Sequence, residues 1–198
     1  MAEIIITPWK HAGFRAYAVY TILVWISYSL MGPFLWPFCF GPRAEHGLGL
    51  TTGMTNLFLF VLPLLANAWV APYWGAAIDR FGPRPVLTVS SISACVLPII
   101  WVVMRPELTW MIPVQCFVAG LFWPGIERVM EYMLIQGFPE TRRSTYVAAF
   151  NVAFGVAMML GPALGGVCAA GWKSVMPSLA LPGWVSHYHL LFLTSMLA

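Results

Sequence analysis

Long uncharged stretches separated by short charged turns organise the chain. No residue between Arg15 and Arg43 is charged, and none between His46 and Asp79. Ala16–Pro37 reads as a first helical span, with the breakers Gly32, Pro33 and Pro37 near its end, and Gly53–Ile78 as a second. After a polar turn at Asp79–Pro85, Val86–Met104 forms a third span, and Arg105, Pro106 and Glu107 turn the chain back. A fourth helix is expected over Leu108–Gln136 and a fifth over Tyr146–Ala170, with a longer connection through Gly171–Ser186. His187–Ala198 reads as the start of a sixth span, roughly 18 Å long at 1.5 Å per residue. That is short of the ~30 Å hydrocarbon core, so the sixth helix is expected to be incomplete within these 198 residues. The uncharged runs lack the period-2 alternation of a membrane barrel.

Composition makes the membrane reading firm. Apolar residues make up 60% of the chain and Asp, Glu, Lys and Arg only 9%, against about 25% charged in a soluble domain. The mean hydropathy is +0.80. A soluble domain and a disordered chain are both excluded, the latter needing the opposite balance. A net charge of +3 spread thinly along the chain speaks against nucleic-acid binding. Orientation follows the Lys/Arg bias of the loops. With the N-terminus in the cytoplasm, Lys10, Arg15, Arg80, Arg84, Arg142 and Arg143 lie inside, and Arg43, Arg105 and Lys173 outside. Residues 1–15 are then a cytoplasmic segment and 16–198 a transmembrane domain of a plasma membrane, such as a bacterial inner membrane. Met1–Lys10 is too short for the apolar region of a secretory signal.

Helical periodicity gathers polar and aromatic residues into stripes. Tyr17, Thr21, Trp25, Tyr28 and Gly32 share one face of the first helix, and Asn56, Pro63, Asn67 and Trp74 one face of the second. Gly120, Glu127 and Glu131 share a face of the fourth, flanked by Trp123 and Arg128. Asn151, Gly155, Pro162 and Gly165 lie close together on the fifth. Lipid offers polar groups no partner, so such faces turn toward the bundle interior or a wet cavity. Small-residue helix packing is the other reading, and on the fifth helix it is favoured. Trp25, Tyr28, Gln115, Trp123, Glu127 and Asn151 are the candidate substrate or proton site. Arg128 and Glu131, at i,i+3, are spaced to pair on the helix surface.

Catalytic signatures are missing: there is no GxxxxGK[ST], HExxH or GxSxG, and no enzyme is expected. Cys39, Cys95, Cys116 and Cys168 show no ligand spacing and read as free thiols. His187 and His189 make at best a weak metal pair; no metal site and no cofactor are expected.

The turn after the second span reads Gly75-Ala-Ala-Ile-Asp79-Arg80-Phe-Gly82-Pro-Arg84-Pro-Val-Leu87. It closely resembles motif A of the major facilitator superfamily, GxxxDRxGxRxxL, in the loop between helices 2 and 3. Phe138-Pro139-Glu140-Thr-Arg142-Arg143 is similar to the family's PExxR segment after helix 4. Gly161-Pro162-Ala-Leu-Gly165-Gly166 is similar to the GPxxGG end of motif C. Motif B's arginine has no counterpart, since Cys116, beside Gln115, stands four residues before Gly120. The resemblance implies an all-α fold, the N-terminal six-helix half of a transporter built as a 3+3 inverted repeat. It implies that Gly75, Asp79, Arg80, Gly82 and Arg84 form a cytoplasmic latch, with Gly75 allowing close helix approach and Glu131 meeting Arg84. It further implies secondary transport of a small solute by alternating access, in the bilayer, against a second six-helix half supplied by a C-terminal half, a second chain or a homodimer. The alternative is a transport-incompetent scaffold or assembly subunit that keeps the fold.

Overall fold

The computed structural model describes residues 8–43, 47–138, 143–179 and 181–197. Pro139, Glu140 and Arg142 of the PExxR-like segment, His46 and Ala198 lie outside them. Among the described residues all regular structure is helical. Six main helices follow one another: α1 (Ala12–Phe40), α2 (Thr52–Phe81), α3 (Pro83–Val102), α4 (Met111–Gln136), α5 (Arg143–Val175) and α6 (His187–Leu197).

Four of these, α1, α2, α3 and α5, are long and apolar enough to cross a membrane. α4 has the length, at 26 residues, but Gln115, Glu127 and Arg128 lower its hydropathy. It packs against α2 and α3, with lesser contact to α5. α1 packs along α5, and α6 lies against α1, α5 and the end of α3.

Several helix ends differ from the sequence expectation for local reasons. Pro33 and Pro37 lie inside α1 rather than ending it, and the helix stops at Gly41, whose N–H donates to Pro37 O (2.9 Å). The expected polar turn at Asp79–Pro85 shrinks to Gly82. Its φ of 83° and ψ of 167° lie in a region essentially reserved for glycine. Pro83 then opens α3, where a missing N–H costs nothing. The expected long connection after helix 5 is shortened, because Gly171–Val175 continues α5. The fourth helix starts at Met111, after a 3₁₀ turn at Pro106–Leu108.

Two prolines shape the inner wall. Pro63 has no N–H to close a normal turn, and the preceding residues, Leu57–Val61, widen into a π-helical turn closed by Leu62 N–H on Leu57 O. Pro98 interrupts α3 at Leu97, where the Ile100 N–H turns back to the Leu97 carbonyl.

Aromatic clusters tie the bundle together at one end. Phe138 stacks on Tyr146 (4.7 Å, 6° between planes), and Phe14 meets both rings edge-on. Tyr17 stacks on Phe150 and donates to Met130 O at 2.9 Å, joining α1, α4 and α5. The outer faces are apolar too: Trp69, Tyr73, Ile92 and Val167 are all exposed. A surface of this kind is suited to lipid and protein neighbours rather than water.

Candidate functional site

A cavity of about 410 Å³ opens between α1, α2, α3 and α4, within the size range of small-molecule sites. α1 contributes Trp25, Tyr28, Met31 and Leu35, and α2 contributes Pro63 and Asn67. α3 supplies Ala94, Leu97, Pro98 and Trp101. α4 supplies Gln115, Cys116, Ala119, Gly120, Trp123 and Glu127.

The wall is mostly apolar, with polar groups at its two ends. Toward the C-terminal end of α4, Trp123 Nε1 donates to Glu127 Oε1 at 3.0 Å, an i,i+4 bond within the helix. Trp123 in turn lies 4.5 Å from the Tyr28 ring and meets Trp25 edge-on at 5.4 Å. These three rings and the carboxylate form one continuous patch. Near the other end of α4, Gln115 is 3% exposed and its Nε2 donates to the Leu97 carbonyl (2.8 Å), which also accepts the Ile100 N–H. Gln115 Oε1 and the Trp25 indole N–H, both buried, have no hydrogen-bond partner among the described residues.

Close helix approach sets the cavity's shape. A Cβ on Gly120 would stand 2.6 Å from Pro63 Cα and 2.8 Å from Ala66 Cβ, so this glycine lets α4 touch the α2 backbone. Below it, Trp74 Nε1 donates across the same interface to Leu121 O (2.7 Å).

Five of the six candidate site residues, Trp25, Tyr28, Gln115, Trp123 and Glu127, therefore share one cavity. Asn151 does not: it sits on an exposed part of α5, which contributes nothing to the cavity wall. The α5 stripe divides. Gly161 and Gly165 are buried against Ser29, Leu30 and Phe34 of α1, which is the packing reading, whereas Gly155 and Gly166 face open space. Pro162 is half-buried between them. The ion pair of Glu131 is with Arg128, both substantially exposed. Arg84 is exposed, as are Asp79 and Arg80, and Arg84 forms no ion pair with a described residue. A Cβ on Gly75 would meet nothing within 4 Å, so no described residue makes the close approach expected there.

The sequence reading missed the α3 contribution, although the Pro98 break was a visible signal. It also missed the role of His189. This residue is buried, bonded through Nδ1 to Ser186 and through Nε2 to Met104 O. Ser27 and Ser195, likewise unremarked, exchange hydroxyl-to-carbonyl hydrogen bonds between α1 and α6.

The family model of the Major Facilitator Superfamily matches residues 16–194. The chain belongs to the major facilitator superfamily. It is an integral membrane protein of a family of transporters. Two curated relatives from Arabidopsis thaliana are similar to this superfamily member. Protein zinc induced facilitator 1 is 27% identical over 152 residues, covering 74% of this chain and 31% of the relative. Protein zinc induced facilitator-like 1 is 25% identical over 137 residues, covering 69% and 27%. The chain thus spans about a third of the length of the curated relatives it matches. No solved structure matches it.

Proposed function

We propose that this chain is the N-terminal six-helix half of a secondary transporter that moves a small solute by alternating access. The observation that carries the reading is the α1–α4 cavity. It has a carboxylate, a buried amide and three aromatic rings in mutual contact, in a chain of a transporter family. Ionisable groups inside a bundle are costly, and function is their default explanation.

Helix pairing supports the 3+3 repeat. Exchanging α1, α2 and α3 with α4, α5 and α6 turns the α1–α5 contact into α4–α2, α3–α4 into α6–α1, and α2–α3 into α5–α6, and each of these contacts is present. Support for a second half comes from the relatives' length and from the uncovered small residues Gly75, Gly155 and Gly166 on outer faces, where another helix has room to approach. Asn151 on that exposed α5 face is proposed to meet the second half rather than the solute. The Gly75–Arg84 turn, exposed here, is proposed to latch against it, with Glu131 released from Arg128 for the purpose.

Transport is tested in energised membrane vesicles from cells expressing the protein, with a panel of labelled organic cations, organic anions, sugars and amino acids. At least one solute is expected to accumulate above the level of non-expressing vesicles, and the cavity-filling Ala119→Trp is expected to remove that uptake. No accumulation of any class would favour the scaffold reading.

The six-to-three Lys/Arg bias supports a cytoplasmic N-terminus. A cysteine at Ala12 is therefore expected to react with an impermeant maleimide only from the cytoplasmic side, and one at Val175 only from the opposite side. The reverse pattern would invert the orientation.

A further inference from the structure

Among the described residues that line the cavity, Glu127 is the one that bears a formal charge, and no lysine, arginine or histidine faces it. The adjacent cation, Arg128, is engaged by Glu131. The carboxylate's neighbours on the wall are the neutral side chains of Trp123 and Asn67, both hydrogen-bonded to it. Beyond it lie the π faces of Trp123, Tyr28 and Trp25, which attract cations and repel anions. At the far end the Gln115 amide is held in one orientation, because its Nε2 must face the Leu97 carbonyl. Its Oε1 is thereby committed as an acceptor, buried and unpartnered among the described residues. A buried acceptor left unmade is costly, so the site gains most from a ligand that brings a donor. Gln115 and Glu127 are twelve residues apart on α4, about 18 Å along the axis. A ligand bridging them is then elongated, with an apolar middle.

We propose that the cavity binds an organic cation with an aromatic body. Its positive group lies against Glu127 and the Trp25–Tyr28–Trp123 rings, and an N–H or O–H donor at its far end lies on Gln115 Oε1. This rests on reading the cavity as the solute site and names the class of solute.

The test uses the protein in nanodiscs of zwitterionic lipid and three probes: ethidium (a flat cation with amine donors), tetraphenylphosphonium (a cation with no donor) and fluorescein (a flat anion). Both cations are expected to bind saturably and fluorescein not to bind. Glu127→Gln should weaken both cations by about tenfold or more, the loss expected for a charged partner. Glu127→Asp, which keeps the charge, should retain most of the affinity. Gln115→Leu should weaken ethidium about fivefold, one neutral hydrogen bond, and leave tetraphenylphosphonium unchanged. Ala119→Trp should remove binding of both. Gel filtration and thermal unfolding confirm that each variant is folded, and the Asp variant keeps the charge test readable if the Gln variant is not. Fluorescein binding that Ala119→Trp removes would overturn the cation assignment while leaving the cavity as the solute site. Cation binding that is indifferent to Glu127→Gln, or that survives Ala119→Trp, would also overturn it, as would the absence of saturable cation binding. Failure of transport itself is read separately, in the vesicle uptake experiment.

Discussion

Replacing Gly120 with alanine is expected to destabilise the bundle by about 2 kcal/mol, the range for overpacking a tight interface. The new methyl would meet the Pro63 backbone, with Cα at 2.6 Å, and the Ala66 Cβ at 2.8 Å, neither of them the end of a flexible side chain. Pro63 cannot yield easily, because its ring fixes the local backbone and follows the π turn at Leu57–Val61. α4 would have to move away from α2, straining the Trp74–Leu121 hydrogen bond. Bonds of this type between membrane helices contribute about 0.6 kcal/mol on average. Gly155→Ala is the control, since its Cβ meets nothing within 4 Å. Alanine is the better helix former by about 1 kcal/mol, so that variant should be unchanged or slightly more stable. Thermal unfolding of the two variants side by side measures the difference. Equal transitions would mean that α2 and α4 do not touch at Gly120.

Removing the His189 side chain should cost as much or more, about 2–4 kcal/mol summed over the groups it leaves unpaired. Its Nε2 faces the Met104 carbonyl at 2.7 Å, which places the ring proton there. Nδ1 is then the acceptor, taking the Ser186 N–H at 3.0 Å and facing the Ser186 hydroxyl at 2.8 Å. One ring thus caps the start of α6 and ties it to the end of α3, with Phe38 and Trp184 packed edge-on against it. Ser186 and His189 are 0% and 3% exposed, so water does not readily replace these bonds. His189→Ala loses both connections. His189→Asn can still accept from Ser186 N–H but does not reach Met104, and an intermediate loss is expected. Chemical or thermal denaturation ranks the three proteins. If the asparagine variant falls as far as alanine, the tie to α3 carries the stability; if it matches the wild type, the α6 cap does.

The fold was legible because lipid demands long uncharged helices, and the runs between Arg15, Arg43, Asp79 and Arg105 mark them. Helix ends were less legible, since they depend on single residues: Pro33 and Pro37 are tolerated within α1, and Gly82 alone turns α2 into α3. Trp25, Tyr28, Trp123 and Glu127 line one cavity because parts of the α1 and α4 stripes face inward, while Arg128 and Glu131 at the end of the α4 stripe face out. The same periodicity misplaced Asn151, because a stripe shows which residues share a face and not what that face meets. On α5 the face splits between α1 and the outside. The α3 wall has no polar stripe at all; Ala94, Leu97 and Trp101 enter the cavity through the tertiary packing of α3 on α4. His189 was hidden for a similar reason, its partners Met104 and Ser186 being brought together only when α6 docks.

Alternating access is tested most directly by the two-sided reactivity of a single cysteine at Ala119, on the cavity wall, with Cys39, Cys95, Cys116 and Cys168 replaced. Right-side-out and inside-out vesicles are treated with a membrane-impermeant maleimide, and Ile92→Cys, on the exposed outer face of α3, serves as the lipid-facing control. The expected result is alkylation of the Ala119 cysteine from both sides of the membrane, while the Ile92 cysteine stays inert from either. Labelling from one side alone, or from neither, would contradict a cavity that opens alternately to the two faces.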